Sequence, residues 1–280
     1  MAYFFKLAWE TIKKRPLYLF GFAWTVIFLV LWAIGPYITP YNPMYSDFDS
    51  FNMPPSAKHL FGTDQVGMDI FSRVIAAPRV DLTIAFLANM LSVIGGSILG
   101  VITGYYRTWW SEAIARVLDL IQVFPSFILA MTAVVISGQN TENLIIVIGI
   151  FNMPIYARLV RSKVYAVRES KFVEAAICTG NSDRRILFRH ILPSSLQPAY
   201  IQFSVVLGWV ILLVSSLSFV GVGVRPPTAE WGAMISNGVP QILSGHWWIP
   251  TFPGIALGLC VLSFGIMGEA LNTIMDPTRL

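Results

Sequence analysis

Stretches of about twenty apolar residues, nearly free of charge, recur along this chain and leave it few ways to fold. Inside a bilayer each backbone N–H and C=O must be paired within the protein, so apolar runs of that length become helices. Six spans are expected: Leu17–Ile38, Val80–Gly104, Ala115–Gly138, Leu144–Tyr156 with an extension to Leu159, Tyr200–Val224 and Pro253–Met275. Composition agrees. Only 12% of the 280 residues are charged and 55% are hydrophobic, whereas soluble domains run nearer ~25% charged. So few charges cannot coat a water-exposed surface of this size. The expected class is an all-α integral membrane protein with six transmembrane helices.

The first span follows Lys13, Lys14 and Arg15, with Pro16 in its first turn, where a missing N–H costs nothing. It is too long for a signal peptide, and no small-x-small cleavage site follows, so it reads as an uncleaved anchor. Loop charge sets the orientation. With the N-terminus in the cytoplasm, the outer side carries Lys58, Arg73, Arg79 and Arg225, and the other fifteen of the nineteen Lys and Arg residues fall on the inner side. That bias supports both termini inside.

Within the second span, Ser92, Gly96, Gly100 and Gly104 repeat every fourth residue and share a helix face. Small residues there admit a neighbouring helix, either within a bundle or across a dimer. Arg116 and Asp119, near the inner end of the third span, are spaced to pair, and Glu269 lies near the inner end of the sixth. No carboxylate stands clearly at midplane, where an ion-coupled carrier usually places one. Cys178 and Cys260 form no C-x-x-C pair, and His59, His190 and His246 are scattered, so no metal site is suggested. No G-x-S-x-G occurs, and no Gly-Lys dipeptide that a phosphate-binding loop requires. No catalytic residue, cofactor or nucleic-acid partner is expected.

The connection between spans four and five holds eight of the fifteen inner basic residues, counted from Arg158. It is too long for a simple link. Ser170–Cys178 reads as a short helix with Phe172, Val173, Ala176 and Ile177 as its apolar stripe. Gly180 supplies a left-handed stop. Ser182 or Asp183 caps a second helix carrying Ile186, Leu187 and His190 on one face, and Pro193 is expected to break it. Such a helix pair needs a surface to lie on: the membrane interface or a partner protein. After span five, Arg225-Pro226-Pro227-Thr228 cannot continue a helix. Trp231, Trp247 and Trp248 mark an outer interface. The loop between them either dips back toward the bundle or only anchors it.

Glu174-Ala175-Ala176, three residues, Gly180, then Leu192-Pro193 resembles the E-A-A motif of ABC importer permeases. His190 stands where that motif has isoleucine, a departure common in the oligopeptide and dipeptide branch. Phe61-Gly62-Thr63-Asp64 with Gly67-Met68-Asp69 through Arg73 resembles another segment of the branch, with Met68 in place of its arginine. Phe219–Gly223 followed by Pro226-Pro227-Thr228-Ala229-Glu230-Trp231-Gly232 resembles a third, and the anchor ending in Pro40–Pro43 is similar to that of its C-type subunit. The resemblance spans nearly the whole chain. It implies the type I ABC importer permease fold, with residues 1–79 as N-terminal segment, anchor and periplasmic loop, and 80–280 as a five-helix core whose coupling loop is 164–193. It implies ATPase coupling through Glu174, Ala175, Ala176, Gly180, Leu192 and Pro193. It also implies a periplasmic gate loop of Pro226, Pro227, Glu230, Trp231 and Gly232. The implied setting is the bacterial inner membrane. The implied partners are a B-type permease completing a heterodimer, two ATP-binding subunits and a periplasmic substrate-binding protein. The implied cargo is short peptides, with nickel or glutathione as alternatives. An ion-coupled secondary transporter is the competing class.

Overall fold

The structure is a computed structural model that describes residues 15–275. Lys6, Lys13, Lys14 and Arg279, counted above toward the inner side, lie outside that range. Among the described residues all regular elements are helical, apart from one isolated bridge between Thr63 and Asp69. Five helices are long and apolar enough to cross a membrane. They are α1 (Pro16–Ile38), α3 (Pro78–Tyr105, preceded by the short α2, Ile70–Ala76), α6 (Thr141–Arg168), α10 (Gln197–Phe219) and α12 (Trp248–Met275). A sixth crossing is made of two pieces, α4 (Trp109–Ile121) and α5 (Ser126–Ser137), bent by 94°. The third span, expected as one helix over Ala115–Gly138, is therefore broken. Pro125 has no N–H to donate and pushes Phe124 out of helical geometry, so the chain turns there.

The core is organised by the pair α3 and α6, which pack along their full length, with α10 and α12 beside them and α1 against α12 and α3. The four-residue repeat is the seam of that pair. A Cβ on Gly96 would lie 2.4 Å from the Met153 carbonyl oxygen, and one on Gly100 2.5 Å from that of Ala157. Ser92 donates to the Gly149 carbonyl at 2.8 Å. The repeat thus serves the bundle interior. Polar side chains lock the neighbouring helices in register: Tyr156 Oη donates to Asn89 Oδ1 at 2.6 Å, Asn89 Nδ2 to the Phe203 carbonyl at 2.9 Å, and Ser204 Oγ to the Phe264 carbonyl at 2.9 Å. Side-chain hydrogen bonds between membrane helices are worth about 0.6 kcal/mol each on average, so these bonds set register more than they add stability.

Both ends of the described chain meet at one end of the bundle, where Tyr18 Oη and Thr273 Oγ1 are 3.1 Å apart. The connection after α6 leaves from this end too. Asp119 does not pair with Arg116. Its carboxylate takes Arg158 Nη2 at 2.9 Å, and Glu112 takes Arg161 at 2.5 Å, because α4 lies along α6. Residues 41–69, at the opposite end, fold back between α2 and the start of α12, where Phe61 packs on Phe71 and stacks on Phe252.

Candidate functional sites

The connection after α6 is built as expected in outline. α6 ends at Arg168, whose Nη1 holds the Tyr105 carbonyl at 2.9 Å, and Glu169 pairs with Arg107 at 3.2 Å. α7 (Lys171–Cys178) follows, buried through Val173 and Ala176 only. The expected stripe is therefore split: Phe172 and Ile177 are 48% and 56% exposed, and Glu174 and Ala175 are exposed with them. Glu174 has no ion-pair partner among the described residues, although its loop is basic. Gly180 has φ +75° with nothing near its Cβ position, so conformation and not space demands glycine there. Asn181 closes the turn, its Nδ2 donating to the Ala176 carbonyl at 3.0 Å.

The second short helix, α8 (Asp183–Ile186), starts after Ser182 and buries Ile186, and Asp183 accepts from Tyr105 Oη at 2.8 Å. His190 is half-buried. Pro193 does not break the segment, contrary to expectation. The chain widens into a π turn over Leu187–Ile191, with the Leu192 N–H donating to the Leu187 carbonyl, and Pro193 then sits in the first turn of α9 (Leu192–Ser195). Widening the turn and placing proline among the unpaired first N–H groups removes the conflict. Leu192 is half-buried and Pro193 exposed. Val173, Ile186, Leu187 and Ile191 face the bundle, so the loop is a mounted platform with an outward face.

At the other end, α10 stops at Phe219, short of the expected Val224, where Gly221 takes φ +86° and Ser218 Oγ receives the Val224 N–H at 3.1 Å. The chain then folds back toward the bundle. α11 (Trp231–Gly238) packs against α10 and α12. Glu230 caps it with both oxygens, at 2.8 Å from Gly232 N and 2.7 Å from Ala233 N. Burial pushes its carboxyl above the ordinary range, while those N–H groups pull it down. Gly232 is required by space, since a Cβ would lie 2.1 Å from the Ser215 carbonyl oxygen. Trp231 and Trp248 are buried and do not mark an interface. Their indole N–H groups are satisfied inside, on the Val74 carbonyl at 3.3 Å and the Thr63 carbonyl at 3.2 Å. Trp247 alone of the three is exposed. Pro226 and Pro227 lie on the surface, so the five outer residues divide: Glu230, Trp231 and Gly232 form one buried joint and the prolines flank it.

Several partners of this joint escaped the sequence reading. Asp81, within the second span as drawn, is fully buried and accepts the Trp231 N–H at 3.2 Å. Its position one residue inside an apolar run was the available signal. Arg73 reaches the Pro43 carbonyl at 2.8 Å and the Pro227 carbonyl at 3.0 Å, tying the loop after α1 to the loop after α10. His59, one of the three scattered histidines, has a structural place: it is buried with Nδ1 2.9 Å from Asp69 Oδ1, while Asp69 also caps α2 through Ser72 N at 2.8 Å. The F-G-T-D and G-M-D-I-F-S-R residues are thus the lock of this end.

Comparison with known proteins agrees with this architecture. Residues 96–279 match the family described as binding-protein-dependent transport system inner membrane component, and residues 4–55 match the N-terminal TM domain of oligopeptide transport permease C. Over 272 residues the chain is 39% identical to the dipeptide transport system permease protein DppC of Alkalihalophilus pseudofirmus, covering 96% of this chain and 88% of the relative. It is 35% identical over 271 residues to the glutathione transport system permease protein GsiD of Escherichia coli O6:K15:H31, covering 96% and 89%. A solved structure of the MetNI methionine ABC transporter, inward facing, matches with a TM-score of 0.58 at 15% identity, over 73% of this chain and 97% of that one. The chain belongs to the family of inner-membrane components of binding-protein-dependent transport systems, with the type I ABC importer permease fold. Within that family it falls in the C-type oligopeptide and dipeptide branch, a multi-pass membrane transport subunit. This membership sets aside the ion-coupled carrier.

Proposed function

We propose that this chain forms half of the translocation pathway of an ATP-driven importer of short peptides. A B-type permease supplies the other half, two ATP-binding subunits supply the energy, and a substrate-binding protein delivers the peptide at the outer face. Both termini are cytoplasmic, which puts the α7–α9 platform on the side of the ATPases. The observation that carries this reading is the outward face of α7: Glu174, unpaired and exposed, between the exposed apolar side chains of Phe172 and Ile177. An apolar patch with one charge, on a helix whose other side is anchored, is a docking surface. Glu174, Ala175 and Ala176 form its helix, Gly180 its turn, and Leu192 and Pro193 its return into α10. Closure of the ATPases pushes this platform, and the helices it is bolted to carry the movement across the membrane. At the far end, Glu230, Trp231 and Gly232, flanked by Pro226 and Pro227, form the gate joint between α10, α11 and α3.

Peptide as cargo rests on the dipeptide relative. Deleting the gene is expected to abolish uptake of a labelled dipeptide and to leave nickel uptake intact. The reverse result reassigns the substrate, and loss of glutathione uptake alone moves the chain to the glutathione group.

A further inference from the structure

The break between α4 and α5 opens a cavity of about 260 Å³, lined by Gln122, Ser126, Phe151, Asn152 and Trp209 among others. Asn152 lies near the middle of α6 and Trp209 near the middle of α10, so the cavity opens between the ends of the crossing helices and within their apolar stretches. Four polar groups meet there without an internal partner. Among the described residues, the Gln122 side-chain amide, the Ser126 hydroxyl and the Trp209 indole N–H make no hydrogen bond. Asn152 donates through Nδ2 to its own helix, at 2.8 Å from the Ile148 carbonyl, and leaves Oδ1 free. Trp209 is 46% exposed on the open side of α10, and Val123 and Phe124 at the bend are 72% and 59% exposed.

Polar groups and irregular backbone within such stretches are tolerated where they face protein or a water-filled passage, and are expensive against lipid. Here both occur in one place, and no charged side chain lines the cavity. A peptide bond offers one donor and one acceptor. A primary amide and an indole beside another amide oxygen match that pattern whatever the residue's side chain.

We propose that the α4–α5 break is a peptide-contact station in the translocation pathway, where Gln122, Asn152 and Trp209 hydrogen-bond the main chain of the passing substrate. This rests on the peptide-importer reading. A second cavity adjoins the same helix: Phe127, next to Ser126, lines it with Ser215, Ser216, Phe219 and Gly232. The station therefore leads along α10 toward the joint at Glu230–Gly232.

The test uses the complete transporter, with its partner subunits and binding protein, in proteoliposomes, and radiolabelled trialanine as the probe. Gln122→Leu combined with Asn152→Leu is expected to lower trialanine uptake roughly tenfold or more, the loss appropriate to polar groups left unpaired, while the subunits still co-purify. Gln122→Asn is expected to retain more uptake than Gln122→Leu. In a Cys178→Ser background, Gln122→Cys is expected to react with a hydrophilic maleimide, and several-fold more slowly during trialanine transport. Should the double variant fail to assemble, the labelling decides. Wild-type uptake in the assembled double variant, or labelling indifferent to trialanine, overturns the station. Absence of trialanine uptake by the wild-type transporter instead overturns the peptide reading, and the station with it.

Discussion

Substituting Gly96 by alanine adds one methyl group to the α3–α6 seam, and the geometry sets its cost. The new Cβ would fall 2.4 Å from the Met153 carbonyl oxygen and 2.8 Å from Tyr156 Cβ. Ordinary contact begins near 3.4 Å, so the helices must separate by roughly 1 Å, since backbone cannot swing aside as a side chain can. Overpacking of this kind costs about 1–3 kcal/mol. Gly100→Ala meets the same obstacle at 2.5 Å. One separation relieves both clashes, so the double variant is expected to lose less than the sum of the two. Gly258→Ala on α12 meets nothing within 4 Å, and alanine there is expected to stabilise by about 0.5–1 kcal/mol. The assay is thermal unfolding in detergent, read by a thiol-reactive fluorophore on Cys260, which is fully buried, with the exposed Cys178 replaced by serine. Equal midpoints for Gly96→Ala and Gly258→Ala would refute the seam.

Two further outcomes are expected. Glu230→Ala strips the cap from α11 and leaves the N–H groups of Gly232 and Ala233 unpaired inside the protein, a loss of about 1–2 kcal/mol; uptake in vesicles should fall while co-purification with the ATPase persists, and unchanged uptake in the assembled variant would contradict the assignment. Reporter fusions after Gln139 and Thr228 should report the outside and those after Trp110, Asp183 and Leu280 the inside, and an externally accessible Asp183 would invert the topology.

What was legible in the sequence follows a physical division. Apolar runs and helix periodicity report local physics, so five long helices and the four-residue seam could be read directly. Gly180 was legible because only its backbone conformation is at issue. The bend at Pro125 was missed because apolar residues continue on both sides of it; the proline, with Gln122 and Ser126 beside it, was the available mark. Asp119 was assigned its nearest neighbour in sequence, Arg116, yet α4 lies on α6 and presents Arg158. Trp231 and Trp248 looked like interfacial anchors because the pattern of an indole near a span end is the same whether its N–H meets water or the Val74 and Thr63 carbonyls. Asp81, Arg73 and His59 took their partners from 10 to 154 residues away along the chain, and such pairings leave no local trace.

The α7–α9 platform is proposed to receive the push of an ATPase, and charge reversal at Glu174 puts that coupling to the test. On a surface that only lies against lipid headgroups an exposed carboxylate is worth about 0–1 kcal/mol, and Glu174→Lys would be nearly silent. Docked in a groove of a partner, the same carboxylate is desolvated, and removing one member of such a pair costs about 2–5 kcal/mol. At the lower bound this is an affinity loss of roughly thirtyfold. Gly180→Val should act by a separate route, because a β-branched residue resists the φ of +75° on which the turn depends. The measurement is pull-down of the ATPase together with vesicle uptake at matched membrane levels. Both variants are expected to insert normally and to lose either the ATPase or the uptake that its hydrolysis drives. Wild-type binding and wild-type transport in both would contradict the coupling role.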